Sequence, residues 1–215
     1  MAFDDMDFDL AEPASAAAAK HVIRGTRLHD AWRDVVKAAE QAIGPQVAKK
    51  ALALPIEEGL ATCTAEYASL LRRDNQGPAK GVNGLWFGLA EMMPSDNLDD
   101  TIWTPYISGS TEFDPKNRDW PCGPAWFPED RWAVNEPMVI LSHLRSKHKQ
   151  RHWYIEVCLI EPLHRLYIST FARACPRDIL LGEAQSRGIG CGFDEGDLLT
   201  IGTVDAEGFT PMKAL

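Results

Sequence analysis

Apolar positions along the chain fall into two regimes, helical at first and strand-like later. From Thr26 onward, Leu28, Trp32, Val35, Val36, Ala39 and Ile43 recur at three- and four-residue steps, and Gly44-Pro45 supplies the stop. Residues 46–54 predict a second short helix ending before Pro55. Residues 56–73 repeat the design, with Leu60, Cys63, Tyr67, Leu70 and Leu71 on one side and Arg72-Arg73 closing the last turn, where cations suit the helix dipole. Cys63 lies within that stripe and reads as a packed thiol.

The polar stretch 74–81, with Gly77-Pro78, ends the helical third. Residues 84–93 then predict a buried strand, and 101–113 a second one, with Pro105 marking an edge and Gly109 a bulge or turn. Between 114 and 130, Pro115, Pro121, Pro124 and Pro128 remove backbone donors and predict a long loop. Loops of that length inside a compact domain are functional or mobile as a rule, and Trp120, Trp126 and Phe127 argue that this one is pinned. Asn135 before Glu136-Pro137 opens a helix, with Met138, Ile140, Leu141 and Leu144 facing a core and Arg145, Lys147, His148 and Lys149 at its end.

In 151–160, Trp153, Ile155, Val157 and Leu159 alternate with Tyr154, Glu156 and Cys158, which is the period of a half-buried strand, and Pro162 argues against one continuous helix. Residues 165–172 read as the returning strand, 176–188 as a short helix and 198–204 as one closing strand. The fold class is therefore α+β, an N-terminal helical segment packed on a mainly antiparallel sheet. Residues 1–20, where Asp4, Asp5, Asp7 and Asp9 alternate with apolar side chains before an alanine run, read as a flexible acidic leader joined to a nascent helix. The remainder, 21–215, reads as one domain with a helical part at 26–73 and a mixed part at 82–210.

Composition narrows the class. With 215 residues, 45% hydrophobic and 25% charged, a sizeable core is available, yet no apolar run approaches the ~20 residues of a membrane span. The acidic N-terminus is opposite in sign to a secretory or transit signal, so export is not expected. Five widely spaced cysteines without a CxxC pair indicate neither a disulfide framework nor a zinc ribbon, and a reducing cytoplasm fits best. A net charge of −9, from 31 acidic against 22 basic residues, disfavours nucleic acid and favours a basic partner, although such a charge also serves solubility alone.

Candidate chemistry is sparse. His143, His148 and His152 stand among Arg145, Lys147, Lys149 and Arg151, whose charge opposes a divalent cation, so they read as a solvated basic helix end and no metal is expected. Cys122 lies in a Pro- and Gly-rich loop, but the charges beside it are mixed and nothing local favours a thiolate. The stretch Gly188-Ile189-Gly190-Cys191-Gly192 reads as a flexible turn, because Asp194 and Glu195 would stand where phosphates should sit. Adjacent carboxylates such as Glu129-Asp130 read as exposed turns, there is no GxSxG, and no catalytic residue or cofactor is assigned.

What remains is a segment rich in indoles and acids. The candidate partner-binding residues are Asp99, Asp100, Trp103, Tyr106, Glu112, Asp114, Asp119, Trp120, Trp126, Glu129 and Asp130, since aromatic anchors carry interface energy. Core packing is the rival explanation for the indoles.

Two runs in this segment, Trp103-Thr104-Pro105-Tyr106-Ile107-Ser108-Gly109-Ser110-Thr111-Glu112-Phe113-Asp114 and then Asp119-Trp120-Pro121-Cys122 with Trp126-Phe127-Pro128-Glu129-Asp130-Arg131, carry a resemblance. They resemble a signature of small bacterial immunity-type proteins, encoded beside polymorphic or contact-delivered toxins. The resemblance implies a cytoplasmic antidote that binds and occludes a cognate protein toxin, without cofactor or catalytic residues. Acidity suits a basic toxin such as a nuclease. Two other readings stand beside it. One is a small hydrolase or transferase with its site in the 114–130 loop, using Cys122 or a carboxylate. The other is an adaptor docking through Phe3, Phe8 and Leu10.

Overall fold

A computed structural model describes residues 7–93, 101–194, 196 and 198–213. Four helices come first: α1 (Phe8–Arg24), α2 (Leu28–Ile43), α3 (Pro45–Leu52) and α4 (Ile56–Asp74). Strands β1 (Gly84–Met92) and β2 (Ile102–Ser110) follow, then α5 (Glu136–Lys147), α6 (His152–Ile155), α7 (Glu161–Ala174) and α8 (Arg177–Leu181). Strands β3 (Ser186–Phe193), β4 (Leu199–Asp205) and β5 (Phe209–Pro211) close the chain. The sheet runs β2-β1-β3-β4-β5, antiparallel throughout except where β1 pairs with β3. The α+β class and helices α2, α3 and α4 are as the sequence indicates.

The acidic leader does not end where the sequence suggests. Asp7 accepts the Asp9 N–H as an N-cap, and α1 runs from Phe8 through Pro13 to a left-handed Gly25. Its alanines are the reason: Ala11, Ala14 and Ala18 are buried, and small side chains let α1 lie closely on α2 and α7. Of the proposed docking residues, Phe3 lies outside the described residues, Phe8 sits edge-on against Trp153, and Leu10 is partly buried against the core.

The two strands expected between 151 and 172 are helical. A π-helical turn at Glu156–Ile160, closed by the Glu161 N–H bonding back to the Glu156 carbonyl, joins α6 to α7. That turn accommodates Pro162, which has no N–H to give the Cys158 carbonyl one turn earlier. Helix α7 is buried on nearly every side, between α1, α2 and α4 and the sheet, so its apolar residues lack a one-sided helical stripe. Tyr67 of α4, Phe87 of β1 and Phe171 of α7 meet edge to face and tie the early helices to the sheet.

His164 on α7 is fully buried, donates its Nε2–H to the Phe87 carbonyl at 2.9 Å and leaves Nδ1 without a partner among the described residues. Burial pulls its pKa down to about 4, against the upward pull of that carbonyl. Between pH 6.5 and 4 the unfolded chain takes up a proton that the folded one refuses, so stability falls as pH falls through this window, by about 3 kcal/mol from this group. Urea unfolding at pH 7 and pH 4 measures the loss, and His164→Gln is expected to remove that share of it. An unchanged pH dependence in the variant would be the contrary result.

Strand β3 takes the place of the flexible turn expected around Gly188. Ile189 and Cys191 point into the helical core while Gly188 and Gly190 lie on the opposite face of the sheet. A Cβ on Gly188 would stand 2.0 Å from the Phe113 ring, and one on Gly190 2.7 Å from Trp120. The glycines are therefore the floor on which two rings of the 111–132 segment lie.

Candidate functional site

The long proline-rich segment after β2 remains irregular, and its anchoring is what gives it shape. Trp120, 4% exposed, packs with Trp86 and Tyr106 on the outer face of the sheet and donates Nε1–H to Thr200 Oγ1 at 2.9 Å. Trp126, 2% exposed, belongs to the helix-side core, where it donates Nε1–H to Asp74 Oδ2 at 2.9 Å. The segment thus straddles the β2 edge. Backbone bonds complete the hold: Gly109 N–H to the Trp126 carbonyl at 2.9 Å, Ile107 N–H to Arg131 at 3.2 Å, and Ala133 N–H to Pro105 at 2.8 Å. Pro105 lies on an edge strand, as its missing donor predicts, and the same bonds cover that edge against strand addition.

Arg73 links this loop to α4. Its guanidinium bonds Asp74 at 2.6 and 2.9 Å and Asp130 at 2.6 and 3.2 Å. The Arg73 hydrogen bonds hold both carboxyls below their ordinary range, and for Asp74 the Trp126 N–H adds to the effect. Asp130 is consequently a structural clasp more than a free partner-binding acid, which the sequence could not show because Arg73 lies 57 residues away.

Most of the aromatic candidates turn inward. Tyr106 is 6% exposed, accepts the Trp86 Nε1–H at 3.1 Å and donates to Asp194 Oδ1 at 2.5 Å. Burial first, then Asp194, pushes its phenol above the ordinary range. Trp103 is half-buried, donating Nε1–H to Glu156 at 3.0 Å and lying against Phe193. Tyr106, Trp120 and Trp126 therefore serve the interior instead of an outward surface: glycine rows and the Asp74 acceptor provide for them a setting that sequence spacing does not reveal. Asp99 and Asp100 lie outside the described residues.

The remaining acids do face solvent. Glu112, Asp114, Asp119 and Glu129 are exposed, and none has an ion-pair partner among the described residues. Asp114 also accepts the Lys116 N–H at 2.9 Å, an Asx turn that fixes the local backbone. Glu112 and Asp114 border a recess of about 460 Å³ with Phe113, Trp120, Asn83 and Asn117, and no Lys or Arg lines it. Phe127, 50% exposed, lies under the Arg131 guanidinium at 3.8 Å, with Trp132 on the same guanidinium at 4.4 Å.

A second polar constellation escaped the sequence reading. Arg145 of α5 bonds Glu91 at 2.8 Å, Glu156 at 2.5 Å and Thr101 at 2.8 Å, and Thr101 donates to Glu91 at 2.6 Å. Burial raises the Glu156 carboxyl while Arg145 and Trp103 oppose that rise. The basic end of α5 is thus not wholly solvated: Arg145 clasps the β1–β2 end to the π turn. Treating 151–160 as a strand concealed Glu156 as its partner.

Nucleophile and metal chemistry find little here. Among the described residues no three His, Cys, Asp or Glu side chains converge as a metal site. Burial pushes the Cys63 and Cys158 thiols up to about 12 and Cys175 to about 11, and raises Cys191 as well. Cys122 is exposed, and its thiol makes no hydrogen bond among the described residues. A thiol reagent is expected to modify Cys122 alone in the native protein and all five cysteines after denaturation. Rapid native labelling of a second cysteine would contradict this packing.

Fold and site together define an α+β protein whose sheet carries helices on one face and a ring-anchored acidic loop on the other. No family model, curated protein or solved structure matches the chain. No described helix is long and apolar enough to cross a membrane.

Proposed function

We propose that this is a binding protein of the immunity type, a cytoplasmic inhibitor that occludes a basic cognate toxin domain with the outer side of its 112–131 loop. One observation carries the reading: four exposed carboxylates, without ion-pair partners among the described residues, stand on a segment whose buried rings and backbone bonds hold it in place. A surface ordered in advance loses less conformational entropy on binding than a mobile one. Unpaired acids steer a basic partner and reject acidic ones. Phe127, exposed and backed by Arg131, supplies an apolar anchor on the same segment. The local resemblance between 103 and 132 agrees with this reading, and so does the net charge of −9.

Co-expression tests it. Production of the chain is expected to rescue cells from the toxin encoded beside its gene, through a stable one-to-one complex. Absence of both rescue and complex would remove the proposal.

A further inference from the structure

We propose that Gly188 of β3 is a positioning residue for the partner surface: it leaves the outer face of the sheet bare, the Phe113 ring settles there, and the seated ring sets where the carboxylates of Glu112 and Asp114 stand. The proposal rests on the inhibitor reading and adds to it a residue buried too deep to touch the partner itself.

Between 111 and 120 every residue is exposed except Phe113, which is half-buried, and Trp120, which is buried. Those two rings are the side chains that hold the stretch to the fold. Backbone bonds secure its entry, where Asn83 Nδ2–H reaches the Thr111 carbonyl at 2.7 Å and the Glu112 N–H reaches Ser110 Oγ at 3.1 Å. The turn beyond, with the Asn117 N–H on the Asp114 carbonyl at 3.0 Å and the Lys116 N–H on the Asp114 carboxylate at 2.9 Å, shapes the segment without placing it on the sheet. Glu112 and Asp114 flank Phe113, and Asp119 precedes Trp120, so three of the four outward acids sit one residue from a seated ring. The two rings brace each other edge to face, 5.2 Å between centroids.

A Cβ on Gly188 would stand 2.0 Å from both Cδ2 and Cε2 of Phe113, so any side chain at this position displaces the ring. The backbone makes no such demand. Gly188 has no positive φ and pairs with Gly84 and Thr203 as ordinary strand, a conformation that alanine adopts freely. The glycine is required by the ring and not by the chain. Gly190 is a less selective probe, since a Cβ there would also meet the Leu199 carbonyl at 3.2 Å. Phe113 belongs to an exposed stretch and can yield outward, and it carries Glu112 and Asp114 with it.

Gly188→Ala, Phe113→Ala and the double variant, each in the full chain, test the role. Backbone 15N order parameters over 112–119 should stand near about 0.85 in the free parent and fall below about 0.6 in both single variants, with those of 105–109 unchanged. Affinity for the toxin encoded beside the gene should drop about tenfold in each single variant and no further in the double one, because both changes remove the same seat. The melting temperature should barely move, whereas a merely structural role would lower it and leave the affinity of the folded protein alone. Unchanged order parameters or undiminished affinity in Gly188→Ala, or losses that multiply in the double variant, would overturn the positioning role and leave the inhibitor reading standing. A parent chain that binds no such toxin would remove that reading, and this role with it.

Discussion

Trp126→Ala is expected to destabilise the protein by about 3–5 kcal/mol, the cost of emptying a buried indole site. The effect exceeds ring removal alone. Trp126 Nε1–H is a donor to the buried Asp74 carboxylate, and the same carboxylate is one of the two that Arg73 bridges. Losing the indole weakens the Asp74–Arg73–Asp130 chain and with it the clasp of the loop on α4. Trp126→Phe separates the two contributions, retaining an aromatic ring while deleting the hydrogen bond, and should cost about 1–3 kcal/mol. Chemical denaturation of the three proteins measures both, and a loss below about 1 kcal/mol for the alanine variant would show that the loop is not secured here.

Affinity, not stability, should respond to the outward acids. The variant Glu112→Gln/Asp114→Asn/Asp119→Asn/Glu129→Gln is expected to bind a basic partner about a thousandfold more weakly, on the basis of roughly 1 kcal/mol for each lost pairing. Folding should be nearly untouched, because none of the four carboxylates has an ion pair among the described residues and Asn at 114 still offers an oxygen to the Lys116 N–H. Asp130→Asn is a control of opposite kind: it loosens the Arg73 clasp and should lower stability with less effect on encounter. Equal affinity of the fourfold variant and the parent would place the partner elsewhere. Raising salt should weaken the parent complex more than the variant complex.

Helices α2 and α4 were legible because each shows one clear apolar stripe, α3 because Gly44-Pro45 and Pro55 bound it, and β1, β2 and α5 because strand composition or an N-cap marks them. Asn135 does accept the Met138 N–H, as the Asn-Glu-Pro start implies. Failure came where burial erases contrast. Helix α7 is surrounded by core, so its polar residues are buried partners such as Glu161 with Arg165, and a period-two alternation upstream imitated a strand. Gly188 and Gly190 misled for a related reason: they resemble a flexible turn until the rings of Phe113 and Trp120 lie upon them.

The candidate site divided along the same line. Exposed acids were legible from the turn chemistry around them. The indoles were not, because whether a ring packs inward depends on distant acceptors, Asp74 for Trp126 and Thr200 for Trp120. Arg145 with Glu91 and Glu156 shows the same dependence on long-range contacts.

Hydrogen–deuterium exchange of the free chain and of its complex with the neighbouring gene's product tests the central claim most directly. The amides of Ile107, Gly109, Trp126 and Ala133, whose bonds hold the loop to β2, should exchange slowly even in the free protein. Complex formation should add protection concentrated in residues 112–131. Fast exchange of those four amides in the free chain, or protection confined to α1–α3, would contradict a preformed acidic loop as the binding surface.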